Sequence, residues 1–173
     1  MHLDEPTAER LCMTYKKKMH ILYSMDPNAP CTTAGIAFIV NKSLIAPKNI
    51  KSYKLCAGRA LAIKIAWLES ESTTLVNAYA PNKHTAHLAF WEGIKREGTT
   101  QSLPKPKFTL GNLNVMEDPI DRAPTRPDNP NTMIEALRNL HFSWEIQDAW
   151  RQNYPTKREY TYRAQVNSDQ IKS

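Results

Sequence analysis

The chain has 173 residues, 41% of them hydrophobic, and 23 lysines and arginines against 17 acidic residues, a formal net charge of +6. That length suffices for one domain with a sizeable core, while no run approaches the ~18 apolar residues of a membrane span and the acidic, polar residues 1–10 do not read as a secretory signal. The positive balance favours polyanionic partners, and Cys12, Cys31 and Cys56, odd in number and without C-x-x-C spacing, are expected to be reduced thiols of an intracellular protein, not a metal or disulfide framework.

The first predicted element is a helix over residues 5–18, with Asp4 as N-cap and Pro6 in the first turn, where a missing N–H costs little. Ala8, Leu11, Cys12, Tyr15 and Met19 fall at helical spacing and should form its buried stripe. Residues 19–24 suggest a short strand closed by Asp26-Pro27-Asn28. The continuous apolar run 36–40 suits a strand buried on both faces.

From residue 60 to 67 the pattern has period two: Leu61, Ile63, Ile65 and Trp67 alternate with Ala60, Ala62, Lys64 and Ala66. That is a strand, and the small alanines call for a second layer packed close to their face. A polar turn over 69–72 leads to a strand over 74–79. Thr85 can cap a helix to about Lys95, with Leu88, Trp91 and Ile94 on one side. A polar loop over 98–106 precedes a strand over 108–110 that ends in a Gly turn. A Pro-rich loop, 118–130, leads to a capping box at Thr132-Met133-Ile134-Glu135 and a helix through Leu140. There is no internal repeat and no domain boundary, so residues 1–173 are read as one domain with the Pro-rich loop as an excursion.

The most informative stretch is Gly111-Asn112-Leu113-Asn114-Val115. A strand end followed by polar side chains suits phosphoryl-transfer chemistry. The stretch resembles the G-D-[FL]-N signature of the endonuclease/exonuclease/phosphatase superfamily, with Asn112 where that family has aspartate. Other segments resemble the same family in the same order: Gly35 to Val40, Gly58-Arg59 with the strand after it, Asn77-Ala78-Tyr79-Ala80-Pro81-Asn82, Asp148-Ala149-Trp150-Arg151, and Tyr160-Thr161-Tyr162. The last two are most similar to the apurinic-endonuclease-like domain of LINE-type non-LTR retrotransposons. The resemblance implies an α+β fold, an incomplete four-layer α/β sandwich. Met1-His2-Leu3 and Lys172-Ser173 resemble interrupted family segments, which implies a domain cut at both ends and an exposed hydrophobic seam.

The resemblance also implies roles. Tyr79 would point at the scissile phosphate, Asn114 would contact it, and Asn112 would stand where the family orients the attacking water. Asn82 and Arg59 are secondary candidates for nucleic-acid contact, with Arg59 open between phosphate and a core carboxylate. Family members use Mg²⁺, but Asn112 cannot accept a proton near neutral pH; a lost general base typically costs ~10²–10⁴ in rate. On residue chemistry alone, Asn112 and Asn114 also serve as turn residues. Lys16-Lys17-Lys18 reads as a solvated run, His84 and His87 as surface histidines, Glu117 and Asp118 as solvated carboxylates, and Asp148 as a loop-ordering partner for Arg151.

Three functions fit these residues. One is a retrotransposon-derived endonuclease fragment with impaired hydrolysis of DNA. The second is an active Mg²⁺-dependent endonuclease, if flanking segments supply the missing ligands. The third is a non-catalytic nucleic-acid-binding module. DNA is the candidate partner of the first two and nucleic acid of either kind of the third, with no membrane and no small-molecule cofactor expected.

Overall fold

The computed structural model describes residues 5–27, 34–67, 71–121 and 131–159. Four helices and six strands follow in the order α1 (Glu5–Tyr15), β1 (Met19–Ser24), β2 (Ile36–Asn41), β3 (Lys51–Cys56), β4 (Ala60–Trp67), β5 (Glu71–Tyr79), α2 (His87–Thr100), β6 (Phe108–Asn112), α3 (Asn131–Trp144) and α4 (Ala149–Asn153). Strands β1 and β2 form an antiparallel pair; the larger sheet has the order β3-β4-β5-β6, antiparallel except for the parallel pair β5–β6. The long connection through α2 is what a parallel pair requires.

The alternation in β4 builds two cores. Ala60 and Ala62 join Tyr53, Leu55, Val76 and Ala78 beneath Phe90, Trp91 and Ile94 of α2 and Leu137 and Leu140 of α3. Alanine lets those helices approach closely, so large side chains on the helices fill the space the strand leaves. On the other face Ile63 and Ile65 meet Val40, with Leu22, Phe38, Ile45, Ile50 and Leu75 around them. Helix α1 lies behind the small sheet: the Tyr23 hydroxyl, on the strand face opposite Leu22, is pushed up in pKa by burial and then by Glu5, Cys12 and Glu9 of α1. The layers therefore run α1, small sheet, large sheet, α2 with α3. This mixed α+β arrangement of two facing sheets with helices outside is consistent with an incomplete α/β sandwich.

The two sheets are tied at one end. The Ser24 hydroxyl accepts from the Gly58 N–H at 3.0 Å, Gly35 N–H donates to the Gly58 carbonyl at 3.0 Å, and the Asn77 amide donates to the Ala37 carbonyl at 3.2 Å. Gly58 has φ +66, and a Cβ there would lie 2.5 Å from the Asp26 backbone nitrogen. Only glycine lets the β3–β4 turn sit that close.

Several sequence expectations need correction. Helix α1 ends at Tyr15, and Tyr15 is 48% exposed, off the buried stripe. Strand β2 is not buried on both faces; Ile39 is 63% exposed, because among the described residues only α1 lies behind the small sheet. Strand β5 begins at Glu71, since Glu71 and Ser72 pair with Trp67 and Ala66. Thr85 caps nothing; it lies in a short 3-10 turn, His84–Ala86, and α2 runs on to Thr100. Leu88 is exposed, and the buried stripe of α2 is His87, Phe90, Trp91, Ile94 and Gly98. Helix α3 already includes Asn131 and continues past Leu140 to Trp144, so Thr132 lies inside its first turn. Gly111 and Asn112 belong to β6 itself, not to a turn after it. The readings placed on Asp4, Cys31 and Tyr160 to Tyr162, and on both chain ends, lie outside the described residues.

Candidate phosphate-binding rim

Parallel strands finish at the same edge of a sheet, and β5 and β6 bring Tyr79 and Asn112 there in direct register. The chain continues from both without separating: the Ala80 N–H donates to the Asn112 carbonyl at 2.9 Å. Gly111 makes this possible. It has φ +113, and a Cβ at that position would lie 2.1 Å from the Ala78 carbonyl oxygen and 2.8 Å from Asn77 Oδ1. No other residue allows β6 so close to β5 at this point.

Past the strand, Asn114 takes a left-handed conformation, φ 49, which asparagine tolerates better than most residues. Its N–H donates to Asn112 Oδ1 at 3.1 Å, which is an Asx turn. Its side-chain amide donates to the Ala80 carbonyl at 2.7 Å and to Asn82 Oδ1 at 3.0 Å. Asn114 thus ties the segment after β6 to the segment after β5. The turn reading holds for both: Asn112 accepts within the turn, and Asn114 spends both amide hydrogens on Ala80 and Asn82.

Arg59 stands at the same edge. Tyr79 N–H donates to the Arg59 carbonyl at 2.7 Å, Arg59 Nη1 donates to the Tyr79 carbonyl at 3.3 Å, and the guanidinium carbon is 5.6 Å from the Tyr79 ring centre. Among the described residues its partner is therefore Tyr79, and no carboxylate pairs with it. A cation over the ring fixes the orientation of the phenol. Among the described residues the Tyr79 hydroxyl, Asn82 Nδ2 and Asn112 Nδ2 make no hydrogen bond to protein. The rim thus presents neutral donors beside one guanidinium.

The acidic turn that follows is not free in solution. Glu117 accepts from Arg138 Nε at 3.3 Å and lies 3.5 Å from His141 Nδ1. Its carboxyl is held below the ordinary range by the His141 hydrogen bond first, against the opposing effect of burial, with Arg138 adding to it. Asp118 accepts from the Ile120 N–H at 3.0 Å. These bonds anchor the turn to α3 and shape its own backbone, which corrects the reading of both as solvated carboxylates. Among the described residues no group of three His, Cys, Asp or Glu side chains converges as a metal site. The rim's own carboxamides are weak, neutral ligands for Mg²⁺, which prefers carboxylate and phosphate oxygen. The donor set described here does not fit a Mg²⁺ ion.

Asp148 is an N-cap, accepting from the Arg151 N–H at 2.9 Å. Arg151 pairs with Asp121 and also donates to the carbonyls of Tyr154, Pro155 and Lys157 at 3.0, 3.1 and 3.1 Å. The D-A-W-R segment is a loop organiser.

Sequence reading missed one residue near the rim. His87 was expected at the surface with His84, yet it is fully buried, against Trp91, while His84 alone is exposed. Burial lowers its pKa first, the nearby His84 adds to this, and the Pro81 carbonyl works against it. That carbonyl is near, but neither ring nitrogen makes a well-formed hydrogen bond among the described residues. The signal was present: His87, Phe90, Trp91, Ile94 and Gly98 share one helical stripe.

No family model matches the chain. No curated protein matches it either. Among solved structures it is similar to the endonuclease domain of TRAS1, a telomere-specific non-LTR retrotransposon, at 13% identity and a TM-score of 0.48, over 81% of this chain and 66% of that one.

Proposed function

We propose that the rim formed by Tyr79, Asn82, Asn112 and Asn114 is a phosphodiester-binding face of a retrotransposon-type endonuclease domain that has lost efficient hydrolysis. The observation that carries this is the Asn114 bridge, which holds the two strand ends together with Asn82 while Tyr79 and Asn112 stand in register beside it. Phosphate oxygens accept hydrogen bonds, and among the described residues Tyr79, Asn82 and Asn112 each keep an unpaired donor. The ordered sequence resemblance points to DNA as the polymer and to hydrolysis as the ancestral reaction.

What this chain's residues do follows from their chemistry. Arg59 orients the Tyr79 phenol, and Tyr79, Asn82 and Asn112 donate to phosphate oxygens. Asn112 holds the water or phosphate it meets but cannot remove a proton, since a carboxamide does not titrate near neutrality. No step is assigned to Mg²⁺, because the donor set does not fit it.

Supercoiled and abasic DNA, incubated with the chain and Mg²⁺, should show no cleavage above background, and Asn112→Asp alone should not restore it. Asn114→Ala should weaken oligonucleotide binding threefold to tenfold, about the worth of one or two neutral hydrogen bonds. Robust Mg²⁺-dependent nicking that Asn114→Ala abolishes would show that an active endonuclease is the correct reading. Unchanged oligonucleotide binding by Asn114→Ala would remove the rim as a phosphate face.

A further inference from the structure

The lysines of this chain are not spread evenly. Lys16, Lys17 and Lys18 form the turn between α1 and β1, and Lys42 follows β2. The two turns are joined: Lys42 N–H donates to the Lys18 carbonyl at 2.9 Å, and Lys42 Nζ donates to the Lys16 carbonyl at 2.5 Å. In the larger sheet Lys51 of β3 lies directly opposite Lys64 of β4, and Lys64 is opposite Thr74 of β5.

All six lysines share one end of the molecule. The sheets are fastened to each other at Ser24, Ala37, Gly58 and Asn77. Strand β1 begins at the pole away from those ties, at Met19 paired with Asn41. Thr74 lies five residues before Tyr79 in β5, roughly 16 Å along the strand. The basic pole and the rim are therefore opposite ends of one sandwich.

None of the six is in an ion pair with a described carboxylate; the lysine ion pairs are those of Lys105, Lys107 and Lys157. Like charges directly opposite on neighbouring strands, as at Lys51 and Lys64, oppose sheet formation. A polyanion would turn that repulsion into attraction. Aromatic surface lies among the charges. Tyr15, next to Lys16, is 48% exposed, and Trp67, at the end of β4, is 52% exposed. Lys51 Nζ also lies 5.0 Å from the ring centre of Tyr53, which is itself buried in the core.

We infer that this basic pole binds single-stranded nucleic acid, with lysines on the backbone phosphates and Tyr15 and Trp67 as stacking surfaces for bases. Cations with exposed aromatic rings are the general equipment for that ligand, because every base has a face that stacks. A membrane surface fits less well. Membrane-surface anchors usually set lysines along one side of an amphipathic helix, and these come from two turns and a pair of strands. The inference stands independently of the rim and its chemistry.

The test is binding of a fluorescent oligothymidine to the full chain, by anisotropy, between about 50 and 200 mM salt. Two charge-neutralised variants are needed, Lys16→Gln/Lys17→Gln/Lys18→Gln and Lys51→Gln/Lys64→Gln, with circular dichroism to show that both fold. Each should weaken binding at low salt and flatten the dependence of log K on log salt, by about 0.7 for each phosphate that is no longer neutralised. Trp67→Ala should weaken binding about tenfold, the worth of one stacked base. Asn114→Ala, at the rim, should leave the salt slope unchanged. Wild-type salt slopes in both lysine variants would overturn the inference. So would an absence of oligonucleotide binding by the parent chain, or binding to phosphatidylserine vesicles with none to the oligonucleotide.

Discussion

The two faces of the large sheet are covered in different ways. On one, α2 and α3 set Trp91, Ile94, Leu137 and Leu140 over a floor of Ala60, Ala62 and Ala78, and all seven are buried. On the other, a two-stranded ribbon covers Ile63 and Ile65 with Leu22 and Phe38 that are themselves only half-buried. The ribbon does not reach β6. Phe108 and Leu110 share a face with Leu75 and Asn77, and they are 55% and 49% exposed. Helices seal a sheet because their long side chains reach into the pleat; a two-strand ribbon is too narrow for four strands. The sealed face therefore buries more apolar surface than the open face and should carry more of the stability.

Substitutions on the sealed face should cost most. Trp91→Ala is expected to lower unfolding free energy by about 3–5 kcal/mol, measured by urea denaturation, and Leu22→Ala on the open face by less than half of that. Equal losses would mean that the faces contribute alike. Gly111→Ala should cost about 1–3 kcal/mol or more, since its methyl would collide with the Ala78 carbonyl. The damage should centre on β6, read as faster amide exchange in β6 than in β4. Uniform exchange along the sheet would contradict this.

On the uncovered strip, Phe108→Lys with Leu110→Lys should change stability by under about 0.5 kcal/mol. It should also reduce self-association in sedimentation velocity, because among the described residues β6 is an edge strand with exposed apolar side chains. A monodisperse parent chain would remove the open face as an association surface.

The smallest effect concerns pH. His87 is buried under the sealed layer, and its folded pKa lies below the ordinary imidazole value. As pH falls below about 6.5, the unfolded chain takes up a proton that the folded chain resists, so stability declines toward the depressed folded value. It is fully present above that range. His87→Leu should flatten the stability curve between pH 7 and 5, and an unchanged slope would assign the decline to another group.

Much of this fold was legible in the residues. The alternation from Ala60 to Trp67 gave a strand and foretold a close layer on its alanine face, because side-chain period and volume are local properties. The strand over 19–24 and the loop-ordering role of Asp148 were legible for the same reason, though its place as an N-cap came only with the structure. Where a helix stops was less so: α1 ends three residues earlier than its pattern suggests, and α2 runs five residues past Lys95. End positions depend on what each last turn packs against. The burial of His87 followed from helical phase but was masked by the expectation that both histidines lie at the surface.

The order of elements and the choice of Tyr79, Asn82, Asn112 and Asn114 as neighbours came from the sequence, through ordered motifs. Their geometry did not. Only the parallel pairing of β5 with β6 sets Tyr79 against Asn112, and only the close approach at Gly111 lets Asn114 reach the Ala80 carbonyl. The same holds for charge. Composition sets the net value, but contacts between distant segments decide that Lys16, Lys42, Lys51 and Lys64 share one end. Local sequence fixes what each residue can do, while sheet register and layer packing fix which residues do it together.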